Sequence, residues 1–405
     1  MALRPITTRG KCVAIQIPPS PPHRMEFLLK AISQLKKRSW TAHLLWLLLL
    51  LHFLVLAKVE IWRYLGGSVQ LWDFDVYYNT ARDVLSGANP YRLSYMQTLG
   101  PPLVILPFVP FLLLPLQFAR SLVILISLFS VYATGWVLAG TISPKRRMLG
   151  TLFVSFLLLL SFPVRFNFDV GQLNLVVMLL AAVVLTTTNQ RVQGVAAGIM
   201  VVIKTNYVLL LLGLLKHSRS AVIMAVITLC FSAFLSLILF SPTAYQTFLS
   251  ERAQGTILSS SPTVDVDYYN QSLRATMARF HIEQWYPTVF IVFAFAGLVY
   301  VQKTGDVYSG LLLSLLLSPV VWQHYIPVMY PAFILRGHQM IKARRVQWSF
   351  GFSTLLLVAH LPWLHGMRAV FPYNILASHY FIGLVILLGS WVRSNRMETH
   401  ATLEP

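Results

Sequence analysis

Long apolar stretches separated by short polar ones run along most of the chain. A membrane-spanning helix needs about 20 mostly apolar residues. Segments of this character are found at 41–62, 121–141, 148–164, 173–188, 221–241, 285–302, 307–322, 325–336, 347–364 and 376–392. The pattern predicts an all-α, polytopic membrane protein.

Two further apolar stretches are irregular. Residues 101–116 contain repeated prolines, which remove backbone donors and break a helix. Residues 194–215 carry Lys204 in the middle of an otherwise apolar run. We expect both stretches to be broken or re-entrant, so the predicted total is about 10–12 transmembrane segments.

Composition supports the membrane assignment and excludes other classes. The chain is 56% hydrophobic and 11% charged, whereas soluble domains are about a quarter charged. The net charge of +19 does not indicate a nucleic-acid partner, because Lys and Arg punctuate apolar runs instead of clustering on a solvated face. Cys12 and Cys230 are too far apart to suggest a disulfide framework or a thiolate metal site.

The distribution of Lys and Arg predicts the orientation, because short cytoplasmic loops are rich in them. Residues 1–40 are predicted to be a basic, disordered cytoplasmic tail, 41–392 the transmembrane module and 393–405 a second cytoplasmic tail. This favours a multi-pass protein of the inner (plasma) membrane, in contact with its lipids, with the loops at about 63–100 and 242–284 outside. If both irregular stretches cross the membrane fully, residues 117–193 have the opposite orientation.

The densest polar cluster follows the first apolar segment, where Asp73 and Asp75 alternate with large apolar side chains. In an extended chain both carboxylates would point one way, whereas in a helix only one faces a given site. A carboxylate shielded by aromatic rings suits a general base. The alternative is that Asp73 is the N-cap of a helix starting near Phe74.

Two more polar clusters interrupt the apolar pattern. In the first, the amides of Gln172 and Asn174 suit a ligand rich in hydroxyl groups, while Asp169 is a candidate helix N-cap. In the second, Lys204 lies within an apolar run. An intramembrane lysine normally faces a polar interior or an anion, and the alternative is that it snorkels to an interface.

Polar residues near the end of the long outer loop and after a later span complete the pattern. Asn270 and Arg274 belong to the first group, and His324, flanked by Trp322 and Tyr325, belongs to the second. A histidine in such surroundings either holds a phosphate or a sugar or is structural. The chain has no phosphate-binding loop or dinucleotide motif. An activated sugar carried on a lipid is therefore a more suitable substrate than a nucleotide sugar.

Taken in order, these motifs resemble the glycosyltransferase 87 family, which belongs to the GT-C superfamily. The members of this family are mannosyltransferases that use polyprenyl-phosphate-mannose as the donor. The matching residues are Asp73 to Tyr91, Pro101-Pro102-Leu103, Leu114-Pro115, Gly171 to Asn174, Ile203-Lys204, Asn270 to Leu273, and Ser318 to His324. The resemblance spans about residues 40–392. One departure is that the proline usual after the membrane lysine is missing from Lys204-Thr205-Asn206-Tyr207, which leaves the helix break there in question.

The resemblance implies a GT-C glycosyltransferase fold with its active site on the periplasmic, or extracytoplasmic, face. Asp73 would be the general base that activates a hydroxyl of a lipid or glycan acceptor for inverting attack on a polyprenyl-phosphate sugar. The substrate-binding residues it implies are Asp75, Gln172, Asn174, Lys204, Asn270, Arg274 and His324. Among these, Lys204, His324 and Arg274 would stabilise the leaving phosphate. We expect no metal and no cofactor besides the lipid-linked donor.

Two alternative functions are open at this point. A lipid or polysaccharide transporter, or flippase, would explain Lys204 and the proline-broken stretch, because discontinuous helices line transport sites. It also predicts internal repeats, which the sequence does not show. The other alternative is a GT-C enzyme that transfers a different sugar, such as glucose or aminoarabinose.

Overall fold

The structure is a computed structural model that describes residues 71–88, 91, 100–253, 267–344 and 347–401, together with scattered positions from 40 to 54. The predicted N-terminal tail, except its last residue, and most of the first apolar segment lie outside the described residues. The chain divides into two compact units, Met1–Leu50 and Leu51–Pro405, and the description below concerns the second.

Regular structure in the described part of the second unit is helical throughout. Its α-helices are α1 Trp72–Leu85, α2 Leu116–Ile142, α3 Arg147–Leu160, α4 Phe162–Val170, α5 Asn174–Thr186, α6 Gln190–Ile203, α7 Leu210–His217, α8 Arg219–Ala253, α9 Leu273–Arg279, α10 Tyr286–Thr304, α11 Val307–Leu316, α12 Tyr330–Lys342, α13 Trp348–Val358, α14 Tyr373–Ala377 and α15 His379–Ala401. The longer 3-10 segments are Pro102–Leu113, Thr205–Leu209, Gln323–Met329 and Pro362–Met367. The all-α prediction is confirmed.

Several helices are suited to a membrane. Leu116–Ile142, Arg219–Ser250 and Glu283–Thr304 are each long and apolar enough to cross one. A fourth span is formed if Pro144–Leu160 and Phe162–Val170, bent by 72°, count together. Shorter apolar helices, among them α5, α6 and α11, accompany them. The protein is thus a polytopic membrane protein, and the total of 10–12 spans stays a prediction.

Both irregular stretches depart from α-helix in the way that their residues predict. The proline-rich stretch forms the 3-10 segment Pro102–Leu113, with Pro107 and Pro110 inside it. In the other, α6 ends and Lys204 takes an extended conformation with φ −147° and ψ 109°. The side chain of Asn206 then donates a hydrogen bond to the carbonyl of Ser314 at 3.1 Å. The chain therefore breaks at Lys204 without a proline.

The elbow between α4 and α5 depends on a glycine. Gly171 ends α4 with φ +72°, a conformation that side chains with a Cβ rarely adopt. A Cβ there would also lie 2.8 Å from the Cβ atoms of Leu71 and Phe74, so the elbow touches the start of α1. Leu173 is the N-cap of α5. The interpretation of Asp169 as that N-cap is therefore wrong, because Asp169 lies inside α4.

Aromatic packing holds α1 against the proline-rich 3-10 segment. The buried ring of Phe74 lies 5.3 Å from that of Phe111 in an edge-on contact. Tyr77 stacks on Phe108 with ring centroids 4.5 Å apart. The hydroxyl of Tyr78 donates to the carbonyl of Leu114 at 2.8 Å. These contacts fix both the position and the rotation of α1.

Two motifs distant in sequence pair through their backbones. Asn270 and Trp322 form an isolated antiparallel β-bridge. The amide of Gln271 donates to the carbonyl of Val321 at 2.6 Å, and the amide of Gln323 donates to the carbonyl of Tyr269 at 2.9 Å. The loop before α9 thus clamps the segment that carries His324, the residue after Gln323.

Candidate active site

The first carboxylate of α1 faces the elbow. The helix begins at Trp72 with Leu71 as its N-cap, and no side chain caps it. Asp73 is therefore in the first turn, and the alternative that it is the N-cap is wrong. Instead, the side-chain amide of Gln172 donates a hydrogen bond to Oδ2 of Asp73.

A chain of amides orients Gln172. The Nδ2 atom of Asn174 donates to Oε1 of Gln172 at 2.9 Å and to Oδ1 of Asn167 at 3.0 Å. Asn167 in turn donates to the carbonyl of His324 at 2.7 Å. Because the oxygen of Gln172 already accepts a bond from Asn174, its NH2 group must face Asp73. The elbow and the His324 segment thus form one network.

His324 lies beside Asp73. Its Nε2 atom lies 3.7 Å from Oδ2 of Asp73, and the rings of Phe166 and Tyr325 meet it edge-on at 5.3 and 4.9 Å. Both ring nitrogens are buried, with no hydrogen-bond partner in the described part of the chain. Burial, aided by the charge of Lys204, lowers the pKa of His324. The ring is therefore neutral at pH 7 and carries one N–H donor.

Lys204 turns into the same cluster. Its Nζ atom lies 3.0 Å from the centroid of the Tyr325 ring, a cation–π contact. Its positive charge acts on both Asp73 and His324. The break in the helix at Lys204 directs the ammonium to the cluster, in agreement with the polar-interior interpretation and not with snorkelling.

The environment of Asp73 makes it a stronger base than an ordinary aspartate. Burial raises the pKa of Asp73, while the hydrogen bond from Gln172 and the charge of Lys204 oppose that rise. The side chain still keeps 22% of its surface exposed, so another molecule can reach it. Tyr77, one turn further along α1, stacks on Phe108 beside it. The site combines a desolvated carboxylate, a neutral imidazole and the amine of Lys204.

The second carboxylate of α1 faces elsewhere. Residues two apart in a helix point in nearly opposite directions, and Asp75 pairs with Arg120 at the start of α2. The two hydrogen bonds from the guanidinium are 2.8 and 2.6 Å long. The structure thus separates Asp75 from the Asp73 cluster and gives it a partner that positions α1. Of the two geometries that the sequence left open, the helical one is correct.

Asn270 and Arg274 lie in the loop and helix that follow. The Oδ1 atom of Asn270 accepts from the amides of Ser272 and Val321 at 3.2 and 3.3 Å, so this side chain stabilises the clamp on the His324 segment. Arg274 is half-buried on α9. Within the described residues, no three His, Cys, Asp or Glu side chains are grouped so that they could hold a metal ion. Metal independence stays a prediction.

Sequence reasoning missed several residues that build the site. Asn167 precedes the motif Gly171 to Asn174 and Tyr325 follows His324, but only their contacts reveal their roles. A partner role for Arg120 could have been suspected from the sequence. It is a cation near the start of an apolar span, just after a proline, and Asp75 needs a cation. Arg279 is fully buried, and burial lowers its pKa to about 9.

Arg279 anchors the loop that precedes α9. Its guanidinium donates to the carbonyls of Asp267 and Asn270 at 2.9 and 2.8 Å, and to Oγ of Ser378 at 3.0 Å. The last of these bonds ties the loop to the turn between α14 and α15. Arg279 therefore supports the clamp on the side away from His324 by binding the loop itself.

Comparison with known proteins gives one family. The family model of glycosyltransferase family 87 matches residues 99–321, which is more than half of the chain. The matched region contains the elbow, Lys204 and the Asn270 loop, and lies between Asp73 and His324 in the sequence. No curated protein and no solved structure matches this chain at a significant level.

Proposed function

The chain belongs to glycosyltransferase family 87, and from that premise we propose how its site transfers a sugar. The donor is a polyprenyl-phosphate hexose, mannose by the resemblance of the motifs, and the acceptor is a hydroxyl of a lipid or glycan. The reaction inverts the anomeric centre and takes place on the outer face of the inner (plasma) membrane.

Asp73 is the proposed general base. It takes the proton of the acceptor hydroxyl as that oxygen attacks the anomeric carbon. The bond from this carbon to the phosphate oxygen breaks on the opposite side, and its electron pair leaves with polyprenyl phosphate. The raised pKa of Asp73 improves its ability to take the proton.

The leaving phosphate needs positive charge and hydrogen-bond donors, and no proton. Lys204 supplies the charge and His324, as a neutral ring, supplies an N–H. Both groups stand beside Asp73, where they can stabilise the charge that develops on the phosphate. Arg274 is a third candidate for this role.

Sugar hydroxyls have amide partners in the same network. The Oδ1 atom of Asn174 is buried and has no hydrogen-bond partner in the described part of the chain, so it can accept from a hydroxyl. Gln172 bridges it to Asp73. A sugar held by these amides would present its anomeric carbon close to the base.

The main support for the proposal is that three motifs meet at Asp73. A buried carboxylate with Gln172, His324 and Lys204 around it has the parts of an inverting transfer in one place. The family match favours a transferase over a transporter.

The test is transfer by the purified full chain. We would supply radiolabelled polyprenyl-phosphate-mannose or polyprenyl-phosphate-glucose with a panel of membrane glycolipids, and determine the anomeric configuration of the product. Asp73→Asn is the inactive variant, and Asp83→Asn on the same helix is its matched control. Retention of configuration, or transfer from a nucleotide sugar alone, would contradict the proposal.

A further inference from the structure

A polar cavity of about 670 Å³ lies among helix ends away from Asp73. Cationic side chains dominate its charged lining: Lys216, Lys303 and Arg336, with His217 beside them. The carboxylate that faces it is Asp306. Nothing in the proposed transfer reaction uses these residues.

Helix directions place this cavity at the opposite end of the bundle from the candidate active site. α5 begins at Asn174 in the amide network and ends beside the cavity, which Val184 lines. Its 13 residues span about 20 Å. α6 runs the other way, from Gln193 in the lining to the break at Lys204. The two sites are therefore separate.

The lysines converge on the end of α10. The ammonium of Lys216 donates a hydrogen bond to the carbonyl of Lys303. Gly305 ends α10 with φ +70°, and a Cβ there would lie 2.9 Å from Cβ of Lys216 and from Nε2 of His217. This close approach gathers the cations of α7 and α10 at one wall.

The carboxylate of the lining is engaged within its own helix. Asp306 is the N-cap of α11, where it accepts from the amide of Tyr308 at 3.1 Å. It also accepts from the hydroxyl of Ser309 at 2.6 Å. This one carboxylate is outnumbered by the cations of Lys216, Lys303 and Arg336, so the cavity has a positive character.

Arg336 presents a guanidinium to the cavity in a fixed position. Arg336 is nine-tenths buried, donates to Oε1 of Gln339 at 3.1 Å and lies 5.6 Å from the ring centroid of Tyr308. The planar fork of the guanidinium matches the oxygens of phosphate.

We infer that this cavity binds a ligand that carries a phosphate group. Its volume falls in the range of small-molecule sites and exceeds the need of a bare phosphate. The shared chemistry fits either the headgroup of an anionic phospholipid or a soluble phosphate compound. Under the predicted orientation, this end of the helices is the cytoplasmic one, where anionic headgroups are abundant.

The experiment uses the full chain in phosphatidylcholine nanodiscs. One arm adds phosphatidylglycerol to the discs, a second adds inorganic pyrophosphate to the buffer, and diacylglycerol serves as the uncharged lipid. The thermal unfolding midpoint and the apparent Kd are measured for wild type, Lys216→Gln, Lys303→Gln and the control Lys145→Gln, which replaces an exposed cation outside the cavity. Arg336 is left intact because it is buried.

We expect stabilisation of the wild type in one of the two phosphate arms, and the responding arm identifies the source. Loss of one charge-assisted hydrogen bond should weaken the apparent Kd about tenfold for Lys216→Gln or Lys303→Gln, with the control unchanged. Equal responses of all variants, or no response in either arm, would overturn the inference and leave these lysines as determinants of orientation only.

Discussion

The Nε2 atom of His324 lies 3.7 Å from Oδ2 of Asp73, although one residue precedes the matched family region and the other follows it. Two contacts bring them together. The Gly171 elbow touches the start of α1, and Asn167 near that elbow binds the carbonyl of His324. The region between them therefore acts as the support that aligns base and imidazole.

Replacing Asp73 by Asn should abolish the chemistry and leave the fold intact. The amide is similar in size, but it takes no proton from the acceptor. Removal of a general base typically lowers the rate by about 10²–10⁴-fold, and we expect a loss of kcat in this range. Steady-state transfer assays with Asp83→Asn as the control would measure it. A variant with near wild-type kcat would refute the assignment.

Replacing Asp75 by Asn should affect stability more than catalysis. The change breaks the paired hydrogen bonds with Arg120, which we expect to cost about 1–3 kcal/mol. A lower unfolding midpoint with kcat within about twofold of wild type is the expected result. Arg120→Gln should cost a similar amount, and the double variant little more than either. A loss of kcat as large as for Asp73→Asn would show that Asp75 takes part in the reaction.

The acid limb of the pH profile should report Asp73. The base works only when it is deprotonated, so kcat/KM falls as the pH drops through its pKa. Because burial raises that pKa, the fall should begin above the ordinary value of 3.8.

Gln172→Leu tests the same acid limb by removing an interaction that lowers the pKa of Asp73. The hydrogen bond from Gln172 stabilises the charged carboxylate and lowers the pKa of Asp73, so its loss should move the limb to higher pH. A profile that does not respond to this change would separate the limb from Asp73.

Lys204 should act on the donor. Lys204→Met removes the ammonium that faces Tyr325 and Asp73, so we expect a higher KM for the donor or a lower kcat with expression retained. Lys204→Arg keeps the charge and should recover part of the activity. Normal turnover by the Met variant would show that the charge has no role in transfer.

Orientation can be read by labelling with a membrane-impermeant thiol reagent in a background without Cys12 and Cys230. Ser86 and Thr188 are both exposed. Ser86 follows α1, and Thr188 follows the far end of α5. A cysteine at Ser86 should label in intact cells, and one at Thr188 only after permeabilisation. The reverse pattern would place the candidate active site on the cytoplasmic face.

Local sequence determined the elements of this protein. The lengths of the apolar stretches predicted the helices, and the prolines of 101–116 predicted a break from α-helix, because backbone donors and side-chain hydrophobicity act within a few residues. Lys204 marked a break for the same reason: a charged side chain in an apolar run must be turned toward a partner. The order of the polar motifs identified the family.

Only the tertiary structure decided which side chains share a site. Asp73 and Asp75 are equivalent in the sequence, and the rotation of α1 sends one to Gln172 and the other to Arg120. The basic cavity likewise exists only where the ends of α5, α7 and α10 meet beside Arg336 of α12. Such contacts join residues far apart in the chain, so they depend on how the helices pack, and packing is a property that no local pattern contains.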